Sequence, residues 1–483
     1  MQRQKTRAER YLVQPADAQI AKKIKEDKDI RVLREIEPPE GKSAPILVVE
    51  MEPTRAAQLA DAPDLMVEAD HPLRYGIATL PVIDPGVAPL AEGVTFTVRV
   101  EGPDGEALER AAVHVFGEQS IAQALTGKDG RATLTLSEED MAGVVGVYAQ
   151  PRGPHWSSWR SRPLLSAKEP HRIVCAKVDP ETVEHWAPRA LGFDRLPPTF
   201  RGHGIKVAVI DSGNKDDDTI GFGTAVAGVI TELAPEAQLH IYRVTPGGRF
   251  GDLVDALDRC LAEQVDLVVL GPGSPYTSWL VGRKLEELAY AGIGCIAAAG
   301  NSSGPVSFPA CLPGVLAVGA IGKVGTFPPD SYHTTQLTGT LTHEGFFAAR
   351  LSASGPELDM CAPGVGVAID GRVLDGTPVA AAYVAALAAL VMAHHPEFRN
   401  GFRVRGPVRV QRLFHLLRTG CRPLPAIDPM RVGAGLPDAV AAVGLIPGGQ
   451  QARPAVPAAS PFEGRTRDIS VLRAAMVSAG LAN

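Results

Sequence analysis

Only a few residues in this chain have the type and placement to do chemistry. Asp211 closes the apolar run VAVID, Asn301 closes AAAGN, and Leu270-Gly271 close LVVLG. Reactive groups gather at strand ends in parallel sheets, and Asp211 and Asn301 sit at two of them. His333 and His343, in the stretch 323–350, are the candidate substitute bases, and no serine or cysteine stands beside them in a matching pattern. Asp216, Asp217 and Asp218 are oxygen donors of the kind that hold calcium. Three consecutive carboxylates point in different directions, however, so they read as a solvated turn and no metal is expected. The six cysteines include no CxxC pair and read as reduced core thiols. No cofactor is implied.

Such residues need strands and loops to hold them. The 483 residues suggest about three domains at ~150 residues each, and 45% hydrophobic with 21% charged residues is a globular balance. A net charge of −6 with mixed signs gives no nucleic-acid footprint. The basic start MQRQKTRAER is followed by no apolar signal core, and no run of ~18 uninterrupted apolar residues predicts a membrane span. The expectation is a cytoplasmic protein with no nucleic-acid or membrane partner.

Residues 9–75 read as βαββαβ, a ferredoxin-like order: strands at Tyr11–Gln14, Ile30–Ile36, Ile46–Met51 and Leu65–Ala69, helices at Asp17–Glu26 and Thr54–Leu59. Ile30, Val32 and Ile36 are expected on one face. The Pro-rich stretch 76–91 is a linker. Residues 92–165 hold alternating strands punctuated by Asp104-Gly105 and Asp129-Gly130, a small β-sandwich. From Gly204, five near-continuous apolar runs (IKVAVID, QLHIYRV, VDLVVLG, GIGCIAAAGN, GVLAVGA) alternate with helices predicted at 223–233, 252–263 and 278–291. That pattern is a doubly wound, mainly parallel α/β sheet over 170–445. Residues 446–483 read as a tail linker with a short helix.

Seven ordered segments (VAVIDSG, GTAVAGVI, AAAGNSSG, FPACLPGVLAVGA, SASGPELDMCAPG, DGTPVAAAYVAALAAL, GAGLPDA) resemble the subtilisin-like serine proteases, the subtilases. The resemblance implies their fold and assigns Asp211 to the triad aspartate, Asn301 to the oxyanion hole and Leu270-Gly271 to the substrate strand. It also exposes two departures. The family's histidine position is Phe222, in FGTAVAG, and its serine position is Pro378, in GTPVA. Phenylalanine takes no proton and proline has no hydroxyl, and loss of either group costs about 10⁶ in turnover. Pro272 stands where the family has a second glycine, and only eleven positions separate Asp211 from Phe222. Thr377 is expected to cap the following helix, with Pro378 at its first position, and Phe222 is expected to pack against Pro378.

The first domain resembles the propeptide-inhibitor domain of subtilases, and the sandwich resembles the carboxypeptidase-regulatory-like fold. Together these imply a subtilase-like pseudoprotease that works by binding a protein or peptide partner. The alternatives are an active serine-type endopeptidase with non-standard or partner-supplied catalytic residues, and a structural assembly protein.

Overall fold

Ile46–Met51 is apolar at nearly every position because both of its faces are buried. The structure is a computed structural model and describes residues 8–37, 44–73, 90, 92–178, 185–212, 222–245, 247–369 and 372–445. The 76–91 linker (Leu90 apart), Asp216 to Asp218 and the 446–483 tail lie outside the described residues. Strands β1 (Glu9–Pro15), β2 (Arg31–Ile36), β3 (Ile46–Met51) and β4 (Leu65–Ala69) form an antiparallel sheet in the order β2-β3-β1-β4. Helices α1 (Ala18–Glu26) and α2 (Pro53–Ala60) cover one face, where Tyr11, Val13, Leu47 and Val49 meet Ile24 and Leu59. Asp17 starts α1 by accepting the Gln19 and Ile20 N–H groups, both at 2.8 Å. The expected shared face of Ile30, Val32 and Ile36 is not formed. The ladder shifts register between Val32 and Arg34, so Ile30 and Val32 face the helices while Leu33 and Ile36 face the other way.

Two sheets stack in the next segment. One has the order β10-β9-β6-β7 and the other β11-β5-β8. Their strands are β5 (Val94–Glu101), β6 (Ala112–Phe116), β7 (Ile121–Leu125), β8 (Arg131–Leu136), β9 (Gly146–Gln150), β10 (Ser158–Ser161) and β11 (His171–Val174), with a short helix α3 (Glu138–Ala142) before β9. Inward residues of both sheets, among them Phe96, Val98, Val113 and Val147, make a separate core. The sandwich does not stop at residue 165. β11 returns parallel to β5 and buries Ile173 and Cys175 in that core, so the α/β domain starts after 175 instead of at 170. A parallel return needs a long crossover, which separated this strand from the others in the sequence.

After helix α4 (Trp186–Leu191), the α/β domain alternates β12 (Lys206–Ser212), α5 (Phe222–Leu233), β13 (Gln238–Thr245), α6 (Phe250–Ala262), β14 (Leu267–Leu270), α7 (Trp279–Tyr290), β15 (Gly294–Ala298) and β16 (Val315–Lys323). These strands run parallel in the order β13-β12-β14-β15-β16. β17 (Phe346–Ala348) adds antiparallel to β16, and β18 (Met360–Pro363) pairs with it in parallel. Helix α8 (Thr377–His394) is apolar and long enough to cross a bilayer by length and composition, a run the ~18-residue sequence criterion passed over. It is buried in the α/β core, packed with α5 against one sheet face.

On the opposite sheet face lie α6 and α7, and on them lies the N-terminal sheet. Leu12, Ile36, Ile46 and Val48 share one core with Phe250, Leu253, Val254 and Leu257. Gly251 lets the two come close: a Cβ there would stand 3.0 Å from Leu12 Cδ2 and 3.3 Å from Val48 Cγ2. This contact explains the apolar character of β3. One face is covered by its own helices and the other by a second domain.

Candidate functional site

Parallel sheets gather polar groups at the carboxyl ends of their strands, and β12, β14 and β15 bring Asp211, Leu270-Gly271 and Asn301 to the same edge. Asp211 is 1% exposed. The β12–β13 register shifts between Asp211 and Ser212, and the Asp211 carboxylate lies against Gly271 so closely that a Cβ there would stand 2.0 Å from Oδ2. Gly271 donates its N–H to the Ile210 carbonyl at 3.1 Å. Leu270 is fully buried and serves the core.

Asn301 is held by α8. Its Oδ1 accepts the Thr377 N–H at 2.8 Å and the Thr377 hydroxyl at 2.9 Å, while that hydroxyl accepts the Gly300 N–H at 3.1 Å. The expected Thr377 cap is therefore not made. Gly376, at φ 152°, occupies the cap position, Thr377 is the first helical residue and Pro378 the second. Thr377 thus lies inside the helix, one residue past the cap, and its hydroxyl bonds across the loop instead. Pro378 is buried and lacks only an N–H that has no intrahelical partner at that position. Phe222 is the first residue of α5, which packs against α8; its side chain, and with it the expected contact with Pro378, lies outside the described residues.

One pairing has no counterpart in the sequence reading. His333, in a 3-10 turn at Tyr332–Gln336, places Nδ1 2.7 and 2.8 Å from the two carboxylate oxygens of Asp375. Both side chains are buried, and Asp375 also accepts the Gly366 N–H at 2.6 Å. The carboxylate fixes the imidazole, as in a catalytic dyad, yet His333 Nε2 has no hydrogen-bond partner, hydroxyl or other, among the described residues. Instead, Trp156 meets the His333 ring edge-on at 5.2 Å between centroids. Around it Tyr332 N–H donates to the Ser157 carbonyl at 3.1 Å, and Arg160 pairs with Asp330 at 3.0 Å. This insertion is the seat of the sandwich on the α/β domain. His343 is exposed and stands apart from the pair. No spacing rule links His333 to Asp375, 42 residues on, so only Asp375's place two residues before Thr377 hinted at it.

The N-terminal domain reaches the same region. Glu68 accepts the Trp279 N–H at 2.9 Å and the Ser278 hydroxyl, at the start of α7. Asp70 accepts the Gly251 N–H at 3.0 Å, at the start of α6. Both carboxylates complement helix N-termini. Beyond them Pro72 lies antiparallel to Arg249, and the Leu73 N–H donates to the Gly248 carbonyl at 2.8 Å. His71 stacks on Tyr276 at 3.9 Å. Burial pushes the Glu68 carboxyl up to about 7 against the pull of these hydrogen bonds, and raises Asp70 as well.

A sheet with this strand order, and with Asp211, Gly271 and Asn301 at its carboxyl edge, agrees with a family comparison. The subtilase family model matches residues 174–408. This segment is similar to the subtilases. Subtilisin E of Bacillus subtilis (strain 168) is 28% identical over 244 residues, which is 42% of this chain and 58% of that protein. A thermostable alkaline protease of Halalkalibacterium halodurans is 27% identical over 274 residues, 48% of this chain and 70% of that one. The match thus spans little more than half the length of subtilisin E. A solved lanthipeptide protease aligns with 50% of this chain and 88% of its own at 22% identity and a TM-score of 0.39. Among the described residues, no group of three or more His, Cys, Asp or Glu is arranged to hold a metal ion. Cys260, Cys295, Cys311, Cys361 and Cys421 are free thiols whose pKa values burial raises, Cys295 to about 12. None is activated as a nucleophile.

Proposed function

We propose that this chain is a subtilase-fold pseudoprotease: a cytoplasmic protein that binds a protein or peptide partner and does not hydrolyse it. The observation that carries the reading is Pro378, buried in the first turn of α8 at the position the motif order assigns to the nucleophile. It has neither hydroxyl nor thiol, and its counterpart at the base position, Phe222, has no titratable group. What remains at this edge holds structure: Asp211 packs on Gly271, and Asn301 ties down Thr377. The N-terminal domain is read as a propeptide-inhibitor-like module that stays in place. Its shared core with α6, its two carboxylates at helix starts and the Leu73–Gly248 pairing support this.

The enzymatic alternative has one observation of its own, the buried His333–Asp375 pair. An imidazole with a fixed tautomer is a base in search of a nucleophile, and the aromatic rings of Trp156 and Phe327 occupy its surroundings.

Intact mass of the purified full chain tests the reading, wild type beside Asp211→Ala. The expected result is a full-length 50.9 kDa chain in both samples and no labelling by a fluorophosphonate probe. A cut after the N-terminal domain that disappears in the Asp211→Ala chain, or probe labelling that disappears in Asp375→Ala, would overturn it.

A further inference from the structure

β13 is the outermost strand of the parallel sheet, and β12 is its one neighbour among the described residues. The Gln238 N–H donates to the Ile205 carbonyl at 2.8 Å. Backbone groups alternate along a strand, so Gln238, His240 and Tyr242 face β12, and the N–H and C=O groups of Leu239, Ile241 and Arg243 face outward. No described strand meets them. An open edge of this kind is a template for another strand, and natural proteins commonly protect theirs with lysine, proline or a covering loop. Here Ile241 is 49% exposed and Arg243 is exposed on the same face.

A groove of about 640 Å³ runs beside this edge, between β13 and α6, with Arg34 of β2 on its rim. Its charges decide what it accepts. Arg34 pairs with Asp252 at 2.7 Å, and Arg259 pairs with Asp255 at 3.1 Å. Arg243 has no ion-pair partner among the described residues, which leaves the groove with a surplus positive charge. A few residues along, the same backbone already pairs with an extended segment. Pro72 lies opposite Arg249, and Leu73 donates to Gly248. The groove therefore continues an interface in which this chain meets an extended strand.

We infer that the open edge of β13 takes an extended acidic peptide of a partner protein as an added strand. Its backbone would pair with Leu239, Ile241 and Arg243, a β-branched side chain would cover Ile241, and a carboxylate would meet Arg243. This goes beyond the pseudoprotease reading and does not depend on it, because a hydrolysing enzyme would offer the same edge.

The test titrates the full chain into a fluorescein-labelled heptapeptide of alternating Glu and Val at low salt, read by fluorescence anisotropy. Wild type should bind saturably. Ile241→Pro removes one outward N–H while leaving every bond to β12 in place. Arg243→Glu changes only an exposed charge and so tests the site without endangering the fold. Each should weaken binding about ten-fold, the equivalent of one hydrogen bond, and Arg243→Glu should prefer the Lys-Val counterpart peptide. Amide exchange at Ile241 and Arg243 should slow when peptide is bound. Absence of saturable binding up to about millimolar peptide, or unchanged affinity in both variants, overturns the inference. So does a concentration-dependent self-association that Ile241→Pro abolishes, which would assign the edge to a second copy of this chain.

Discussion

Replacing Gly271 by alanine probes how tightly the retained aspartate is built into this site. A Cβ at 271 would stand 2.0 Å from Asp211 Oδ2, 2.4 Å from Cγ and 2.9 Å from Oδ1. Ordinary contact needs about 3.5 Å, so the carboxylate must retreat by roughly 1.5 Å within a site where it is 1% exposed. Gly271 is not among the glycines at positive φ, so its backbone accepts alanine and the cost is steric alone. Overpacking of a rigid interior costs ~1–3 kcal/mol, and a displacement this large belongs near 3. Asp211→Ala alone should cost ~1–3 kcal/mol through the hydrogen-bonding groups it leaves behind. In the double variant the new methyl enters the space the carboxylate vacated. Its cost should equal that of Asp211→Ala alone, a coupling of about 3 kcal/mol between the two sites. At ~2–4 °C per kcal/mol, Gly271→Ala should lower the melting temperature of the α/β domain by ~6–12 °C, and adding Asp211→Ala should not lower it further. The assay is thermal and urea unfolding of the four chains followed by circular dichroism. A Gly271→Ala chain within ~0.5 kcal/mol of wild type, or simple additivity in the double variant, refutes the contact and with it the structural role given to Asp211.

Two further outcomes follow from buried carboxylates. Asp375→Ala removes the acceptor of both His333 Nδ1 and the Gly366 N–H, and loss of one member of a buried pair should cost ~3 kcal/mol or more, with faster amide exchange in Ser158–Ser161 and Tyr332–Gln336 as the sandwich loosens. Glu68, raised to about 7 in the docked state from an ordinary 4.5, takes up a proton on docking; its contribution is full below 4.5 and is lost as pH rises through about 7, so protease nicking behind the N-terminal domain should increase from pH 5 to pH 8 and a Glu68→Gln chain should show a flatter profile.

The α/β sheet was legible in the sequence because its strands are buried on both faces and read as unbroken Val, Ile, Leu and Ala runs, with a helix between each pair. The positions of Asp211 and Asn301 at strand ends were legible for the same reason, since each sits where such a run ends, whereas Leu270-Gly271 was singled out by the family resemblance. Features that depend on three-dimensional neighbours were not. The bulge at Leu33 rotates half of β2 away from its expected face, and nothing in RVLREI marks it. β11 joins the sandwich from 70 residues beyond its partner strand, Val98 opposite His171, after the turn signals of that domain had ended. Thr377 reads as a cap by residue type, but a side chain from 76 residues earlier claims its hydroxyl. Local rules rank the candidates for a bond, and packing chooses among them.

The pattern of what is kept and what is changed at this edge has a physical logic of its own. Asp211 and Asn301 are each engaged by the scaffold: removing the first empties the wall beside Gly271, and removing the second strands the Thr377 N–H and hydroxyl in a buried loop. The cost of losing either falls on folding, whether or not the edge cuts a bond. Phe222 and Pro378 stand in the first turns of α5 and α8, where the leading N–H groups lack intrahelical partners and proline is tolerated. A change there leaves the α8 core intact, with Val379 through Val391 buried as before. The two helix starts make few demands on the fold, whereas Asp211 and Asn301 hold structure together. On the pseudoprotease reading proposed above, an edge that keeps its aspartate and asparagine without a base or a nucleophile is what a binding role would leave in place.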